Sequence, residues 1–352
     1  MKFFVHGSEF PEYLSVNEFS KLVDKIFIGQ LIFYIIGGHM KEYHIQMINE
    51  GQNLLKFLSH ILPGASIGLL HKSLRNKNIV LNEKKAVGKE ILCEGDVIKV
   101  WFSDETIEKF SPMVKVKEKT NYLKKLIVYE DDQIVICNKP ANMLSQSDGS
   151  NQLSLNDYLL QYYGKMEGFT PSICNRLDRN TTGLIVCGKT IQALQKMNEL
   201  FRERKIHKYY NCIVAGNLEG KGILKGWLKK DTKDNRVMIS DIPDAESRYV
   251  ETQYDVIKSI CRSDYTYSLV NIKLITGRPH QIRAHMAYIG HPILGDKKYG
   301  NVKSLEISER FSIQKQLLQC SKLCFPLLPE PWNEISNKEI IIDLPKDMNL
   351  LL

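Results

Sequence analysis

Apolar and polar positions follow two rhythms along this chain, and the change from one to the other divides it. Over 52–58, Leu54, Phe57 and Leu58 recur at helical spacing, Pro63-Gly64 interrupts the pattern, and 67–76 resumes it, which predicts two short helices. The runs at 79–82 and 97–101, the second entered through a Gly95-Asp96 turn, predict strands. Between 103 and 125 apolar positions thin out, Lys and Glu alternate around Pro112, and a linker is expected. Beyond it strands dominate: 126–129 and 134–137 flank the polar tetrad Glu130-Asp131-Asp132-Gln133 as a hairpin, and further strands are expected at 183–187, 210–215 and 265–274. Helices are predicted over about 190–203 and 279–289. Upstream, 15–36 reads as an amphipathic helix ending at Gly37-Gly38.

Length, charge and cysteine usage narrow the class. A chain of 352 residues exceeds one average domain, so a main domain with a smaller companion is expected. A net charge of +8 favours a polyanionic partner without requiring one. The eight cysteines fall mostly inside apolar runs, as buried reduced thiols would, and Cys320 with Cys324 is a close pair lacking a second half, so no zinc site is expected. The longest apolar run, 26–36, is broken by Gly29 and Gln30 and is too short to span a bilayer. A monomer in the cytoplasm, without a membrane partner, is the expectation.

Two segments carry chemistry. In Cys174-Asn175-Arg176-Leu177-Asp178-Arg179-Asn180-Thr181-Thr182-Gly183, an aspartate stands between two arginines in a polar loop that feeds an apolar strand. The flanking guanidinium groups would favour its ionised form, which fits either a loop-stabilising ion pair or a positioned reactive carboxylate. In Thr276-Gly277-Arg278-Pro279-His280-Gln281-Ile282-Arg283-Ala284-His285-Met286, Pro279 suits the first turn of a helix and Gly290 its end. Ile282, Met286 and Ile289 then share one stripe, while His280 and Arg283 lie on another face, leaving Arg283 free to point away from the core.

Together these segments resemble the RluA family of pseudouridine synthases, whose patterns run His-Arg-Leu-Asp-x-x-Thr-Ser-Gly and Gly-Arg-x-His-Gln-Ile-Arg-x-His. Three further pieces appear in that family's order: 129–140 ending in Asn138-Lys139-Pro140, Lys208-Tyr209-Tyr210 leading to Gly216, and Gly290-His291-Pro292 through Gly295-Asp296 to Tyr299-Gly300. The resemblance covers about 126–329 and implies an α+β pseudouridine synthase fold, with a mixed, mainly antiparallel sheet and flanking helices, that isomerises uridine in structured RNA without a cofactor. It implies that Asp178 is the catalytic carboxylate, Arg283 its salt-bridge partner and Tyr210 the residue stacking on the target base. Arg176 would help displace the flipped nucleotide, and Arg179, Lys208 and His280 would bind substrate. Asn175 and Thr182 stand where many relatives have His and Ser, and Asn142 and Ser145 depart from the usual end of the Asn-Lys-Pro segment. These departures bear on the RNA target more than on the reaction.

The segment 52–102 resembles the small RNA-binding domain first known from ribosomal protein S-four, and Lys56, Lys72, Arg75, Lys77 and Lys84 would contact RNA there. The organisation expected is an extension over 1–39, a small α/β RNA-binding domain over 40–105, a linker over 106–125 and the catalytic domain over 126–352. The family-like texture begins at Lys41, so 1–39 reads as an upstream extension or a lineage-specific helix. Large-subunit (23S) ribosomal RNA is the expected substrate by this resemblance. The competing readings are a catalytically silent RNA-binding protein, against which the retention of Asp178, Tyr210 and Arg283 argues, and a synthase acting on transfer RNA.

Overall fold

The computed structural model describes residues 40–110, 121–150, 152–164, 168–231 and 236–352. The helix expected over 15–36 lies outside them. The described residues form two compact units, one built from 40–110 with 168–169, the other from 121–164 and 170–352.

In the small unit, four strands run in the order β1 (Met40–His44), β4 (Val97–Trp101), β2 (Ile79–Leu81), β3 (Lys84–Lys85), all antiparallel. The two predicted helices are α1 (Leu54–Ile61) and α2 (Ile67–Arg75). Each starts where a capping side chain takes up a free amide: Asn53 accepts from Lys56 N, and Ser66 from Leu69 N. Leu54, Phe57, Leu58, Leu70, Leu74, Ile79, Ile98 and Val100 form the core, so the helical and the alternating patterns bury the residues they single out. The turn before Lys84 puts Asn82 and Glu83 in the left-handed region, and the Asn82 side chain ties that turn to Asp96 and Val97.

The expected linker is corrected at both ends. Residues Asp104–Phe110 form α3, started by Ser103, whose hydroxyl accepts from Thr106 N, with Ile107 in the small core. Leu123–Lys125 form a 3-10 turn whose Leu123 is fully buried in the large unit. A single apolar residue per turn makes both elements faint in a charged stretch.

The large unit is organised by an eleven-stranded sheet. Its main path runs β11 (Arg236–Ser240), β10 (Lys221–Asp231), β12 (Arg248–Cys261), β13 (Thr266–Leu274), β9 (His207–Ala215), β14 (Leu318–Cys324), β8 (Thr182–Gly188), β6 (Ile134–Lys139), β5 (Ile127–Glu130). The short strands β7 (Ser172–Ile173) and β15 (Glu339–Ile341) pair with β8 and β14. All pairings are antiparallel except β14 with β8. Among the described residues five helices flank this sheet in sequence: α4 (Leu155–Tyr163), α5 (Ile191–Arg202), α6 (Gln281–Tyr288), α7 (Val302–Arg310) and α8 (Lys346–Asn349).

Strand alternation supplies two cores. On β9, Tyr210, Cys212 and Val214 face the cluster that includes Met197, Leu200, Ile282 and Met286, whereas Ile213 and Ala215 face Ile307, Leu317 and Met348. The cysteine expectation needs one correction: all eight thiols are free, but Cys93 and Cys261 are exposed.

The parallel seam sets the position of everything that follows. Cys320 of β14 is paired with Tyr210 of β9 on one side and with Gly183 of β8 on the other, so the start of β8 lies one strand away from Tyr210. Gly183 has φ +113, and a Cβ there would lie 2.2 Å from the Cys320 carbonyl oxygen. Gly183→Ala should therefore cost about 3 kcal/mol or more. Amide hydrogen exchange should locate the loss in β8 and β14, and unchanged protection there would refute the close-approach argument.

Candidate functional site

The loop leading into β8 is held along its length. Asn175 accepts from Val186 N (2.8 Å) and so stitches the loop to the strand it enters. The Ser145 hydroxyl donates to Leu177 O (2.8 Å) and accepts from Leu177 N (3.1 Å). Thr181 N donates to Asp178 O, closing a turn, and Gln316 Nε2 donates to Thr181 Oγ1 (2.7 Å). Below this loop, the fully buried Lys139 donates from Nζ to the carbonyls of Pro140, Met143 and Arg179 at 2.9, 2.9 and 3.1 Å. Burial pushes the Lys139 ammonium down to about 7, and the nearby Asp178 charge pulls it back up. Three carbonyl acceptors match the three N–H groups of the charged form.

Asp178, partly exposed at the turn, meets Arg283 of α6, whose Nη1 lies 3.0 Å from Asp178 Oδ2. Arg283 is itself 8% exposed, and its Nε and Nη2 go to the two oxygens of Asp296 at 2.6 and 2.9 Å. Burial opposes the charge on Arg283, but Asp296 and Asp178 outweigh it and hold its pKa above the ordinary value. Arg283 thus points away from the apolar core, as its face of the helix led one to expect, but it does so while buried, between two carboxylates. Asp296 lies in the quoted motif 290–300 but had no role assigned from sequence. A pairing across a helix end leaves no periodic signal.

α6 begins two residues later than expected. Pro279 lies ahead of the helix, and His280 is the N-cap in the left-handed conformation, φ 54. That conformation turns the His280 ring back so that Nε2 lies 3.8 Å from Asp178 Oδ2 and Nδ1 lies 3.0 Å from the Tyr299 hydroxyl. Burial lowers the His280 pKa, with Arg283 and Lys298 reinforcing it against the Asp178 and Asp296 charges. The helix is also pinned from its other side. Gln281 Nε2 donates to Thr252 Oγ1 (3.0 Å) and Glu251 O, and the Thr252 hydroxyl lies 2.8 Å from His285 Nδ1.

A cleft of about 1310 Å³ gathers Asp178, Tyr210, Arg283, Arg176, Arg179, Lys208 and His280, all the catalytic and substrate-binding residues singled out in the sequence of this unit. Tyr210 is both core and wall: it is 5% exposed and belongs to the apolar cluster, yet lines this cleft. Lys208, on the same face of β9, also lines the cleft, and burial lowers its pKa. The expectation that both flanking arginines hold Asp178 is corrected. Arg179 turns to Asn142 and Gln152, and the exposed Arg176 has no side-chain partner among the described residues. In the small unit, Lys56, Lys72, Arg75 and Lys84 are exposed and Lys77 partly so, and none has a side-chain partner among the described residues. Lys72 and Arg75 share the exposed face of α2, Lys77 follows it, Lys56 is on α1 and Lys84 on β3. Among the described residues no group of three or more His, Cys, Asp or Glu side chains is arranged to hold a metal ion.

Residues 133–288 match the family described as RNA pseudouridylate synthase. The ribosomal large subunit pseudouridine synthase C of Rickettsia bellii is 32% identical over 285 residues, spanning 77% of this chain and 90% of that protein. An uncharacterized RNA pseudouridine synthase of Mycoplasma pneumoniae is 30% identical over 293 residues, spanning 79% of this chain and 89% of its own length. Among solved structures, human RNA pseudouridylate synthase domain containing 4 matches with a TM-score of 0.51 at 22% identity, covering 64% of this chain and 91% of that one, a likeness of fold.

The Gln281, Thr252 and His285 cluster makes a pH prediction. The fully buried His285 has Nε2 without a partner among the described residues, and burial lowers its pKa to about 4 from the ordinary 6.5. Between these values the unfolded chain binds the proton and the folded chain does not, so stability present above pH 6.5 is lost as pH falls toward 4. The loss should reach roughly 3 kcal/mol. Urea unfolding across this window should show a shallower decline for His285→Asn than for the parent, and identical slopes would refute it.

Proposed function

The chain belongs to the RNA pseudouridylate synthase family, and from that premise we propose that it isomerises uridine in large-subunit ribosomal RNA through Asp178. The observation that carries the assignment of Asp178 is its placement: a carboxylate in an over-fixed turn, in the cleft, paired through a single oxygen with a buried arginine. The isomerisation breaks the bond from C1′ to N1 of uracil, turns the ring, and joins C1′ to C5, while the C5 hydrogen leaves to solvent and N1 takes a proton. No electrons are gained or lost. Asp178 Oδ1 accepts no hydrogen bond among the described residues, so a carboxylate oxygen remains available to attack C1′ or to take the 2′ proton.

Reaching Asp178 requires the uridine to leave its stack, which costs a few kcal/mol and calls for compensating contacts. Tyr210 offers an aromatic wall against which the uracil rests. Arg176, exposed at the loop and without a side-chain partner among the described residues, would occupy the vacated position. Lys208 and Arg179, with His280, would receive the flipped nucleotide's polar groups and phosphates. The ribosomal substrate is favoured by the large-subunit synthase of Rickettsia bellii, which shares 32% of its residues with this chain over most of its length. The small unit is proposed as an RNA-binding domain like that of ribosomal protein S-four. It is supported by two capped helices, the Asn82 turn and five cationic side chains without partners among the described residues.

Tritium release from RNA carrying 5-labelled uridine tests the first proposal. Total RNA from a strain lacking the gene should release label with the parent chain, and Asp178→Asn should lower the rate by about a thousandfold or more. Equal release by both would remove Asp178 from the mechanism, and label lost from transfer RNA instead of ribosomal RNA would redirect the substrate. For the small unit, Lys72→Gln with Arg75→Gln should weaken binding to large-subunit RNA and reduce the salt slope of log K by about two. An unchanged slope would mean that this face does not meet phosphate.

A further inference from the structure

The mechanism proposed above uses neither Asp296 nor Tyr299, yet each holds one of the two side chains of α6 and its cap that face Asp178. Asp296 is 2% exposed, and its Oδ1 also accepts from the amides of Lys298 and Tyr299, which folds residues 296–299 into a tight turn. From this turn Asp296 engages the Nε and Nη2 edge of Arg283, and Tyr299 lays its ring against the same guanidinium, 5.0 Å from centroid to Cζ. The Tyr299 hydroxyl accepts from Val237 N at 2.8 Å and lies 3.0 Å from His280 Nδ1, where its own proton is free to go. With Nδ1 accepting that proton, a neutral His280 carries its own on Nε2, toward Asp178.

We infer that the turn of residues 296–299 is a positioning device for the reacting carboxylate, fixing Arg283 through Asp296 and the orientation and tautomer of His280 through Tyr299. The inference rests on the assignment of Asp178 as the catalytic carboxylate. An arginine free to swing would meet an aspartate with two parallel N–H bonds and occupy both oxygens. Here that edge is already taken, so Arg283 offers Asp178 only Nη1, and one carboxylate oxygen is left open. Asp296 also moderates the charge that Asp178 meets, since the three groups together sum to one negative charge. Among the described residues, Lys139 from β6, Tyr210 from β9, His280 and Tyr299 also feel the Asp178 charge.

The test is single-turnover tritium release from the same labelled total RNA, across pH, with the full chain. Asp296→Asn keeps the shape and one acceptor but removes the charge. It should lower the plateau rate about tenfold or more and leave the half-saturating RNA concentration within about threefold. The acid limb of its profile should move to lower pH, because Arg283 then carries a charge that no carboxylate of the turn offsets. Tyr299→Phe keeps the ring and loses the hydroxyl, and should slow the plateau rate several-fold at unchanged RNA affinity. Parent-like rates and pH limbs in both variants would overturn the inference, including the case in which only the melting temperature falls, which would make the turn a brace. Should Asp296→Asn not fold, Tyr299→Phe decides alone, and a parent-like rate overturns the proposal. Asp178→Asn serves as the separate arm. If it keeps full release, the underlying assignment has failed; if it is inert while Asp296→Asn is parent-like, only the positioning role has.

Discussion

A guanidinium taken out of water has to find anions at once, because an unpaired charge inside a protein costs several kcal/mol. Arg283 finds two, Asp296 at its Nε and Nη2 edge and Asp178 at Nη1. That requirement disciplines the whole large unit. α6 must start where its first turn can present the arginine, which is why His280 accepts a left-handed backbone and why Gln281, Thr252 and His285 form a buried polar brace beneath it. The loop into β8 must arrive at the same place from the other direction. A pair of this kind is a poor source of net stability and a strict condition on geometry, since breaking one partner is far more costly than never having made the set.

The cleft therefore divides into groups that are held and groups that are left. Arg283, Lys139 and Asp296 are tied by several bonds each, Asp178 is held to Arg283, and Ser145 and Asn175 fix the backbone of the loop that carries it. Arg176 faces the cleft with no partner among the described residues. This is the arrangement to be expected where a small reacting centre must be reproducible while the surface around it adapts to a polymer whose backbone is uniform and whose fold is not.

Much of this was legible in the sequence, and the reason is local. The loop at Asp178 and the helix at Arg283 announce themselves by dense, ordered motifs, and the helices of the small unit by apolar spacing. The long strands β10 and β12 were missed because β10 is interrupted by Gly222 and Gly226 and carries lysines on its open face, which blurs alternation. β14 was missed because it is buried on both faces, and a short apolar run without a period does not distinguish a strand from a helix. The pairing of Arg283 with Asp296, the carbonyl cage of Lys139 and the turn of Arg179 away from Asp178 are tertiary facts. No property of their neighbours in sequence encodes them, and the flanking arginines even pointed to the wrong partner.

The parallel seam has a consequence in time. β14 lies between β9 and β8, so the strand that follows the Asp178 loop cannot be joined to the strand bearing Tyr210 until the chain has been made as far as Cys324. Thr182 and Leu318, hydrogen-bonded across this seam, are separated by 136 residues of sequence. Closing so long a loop is entropically slow, and contacts of this range form late in folding. During synthesis, then, the loop bearing Asp178 leaves the ribosome long before, and the helix bearing Arg283 only shortly before, the strand that aligns them. A partly made chain has the residues of the site without their arrangement, and it gains the capacity to act on RNA only once that late strand slides into the gap.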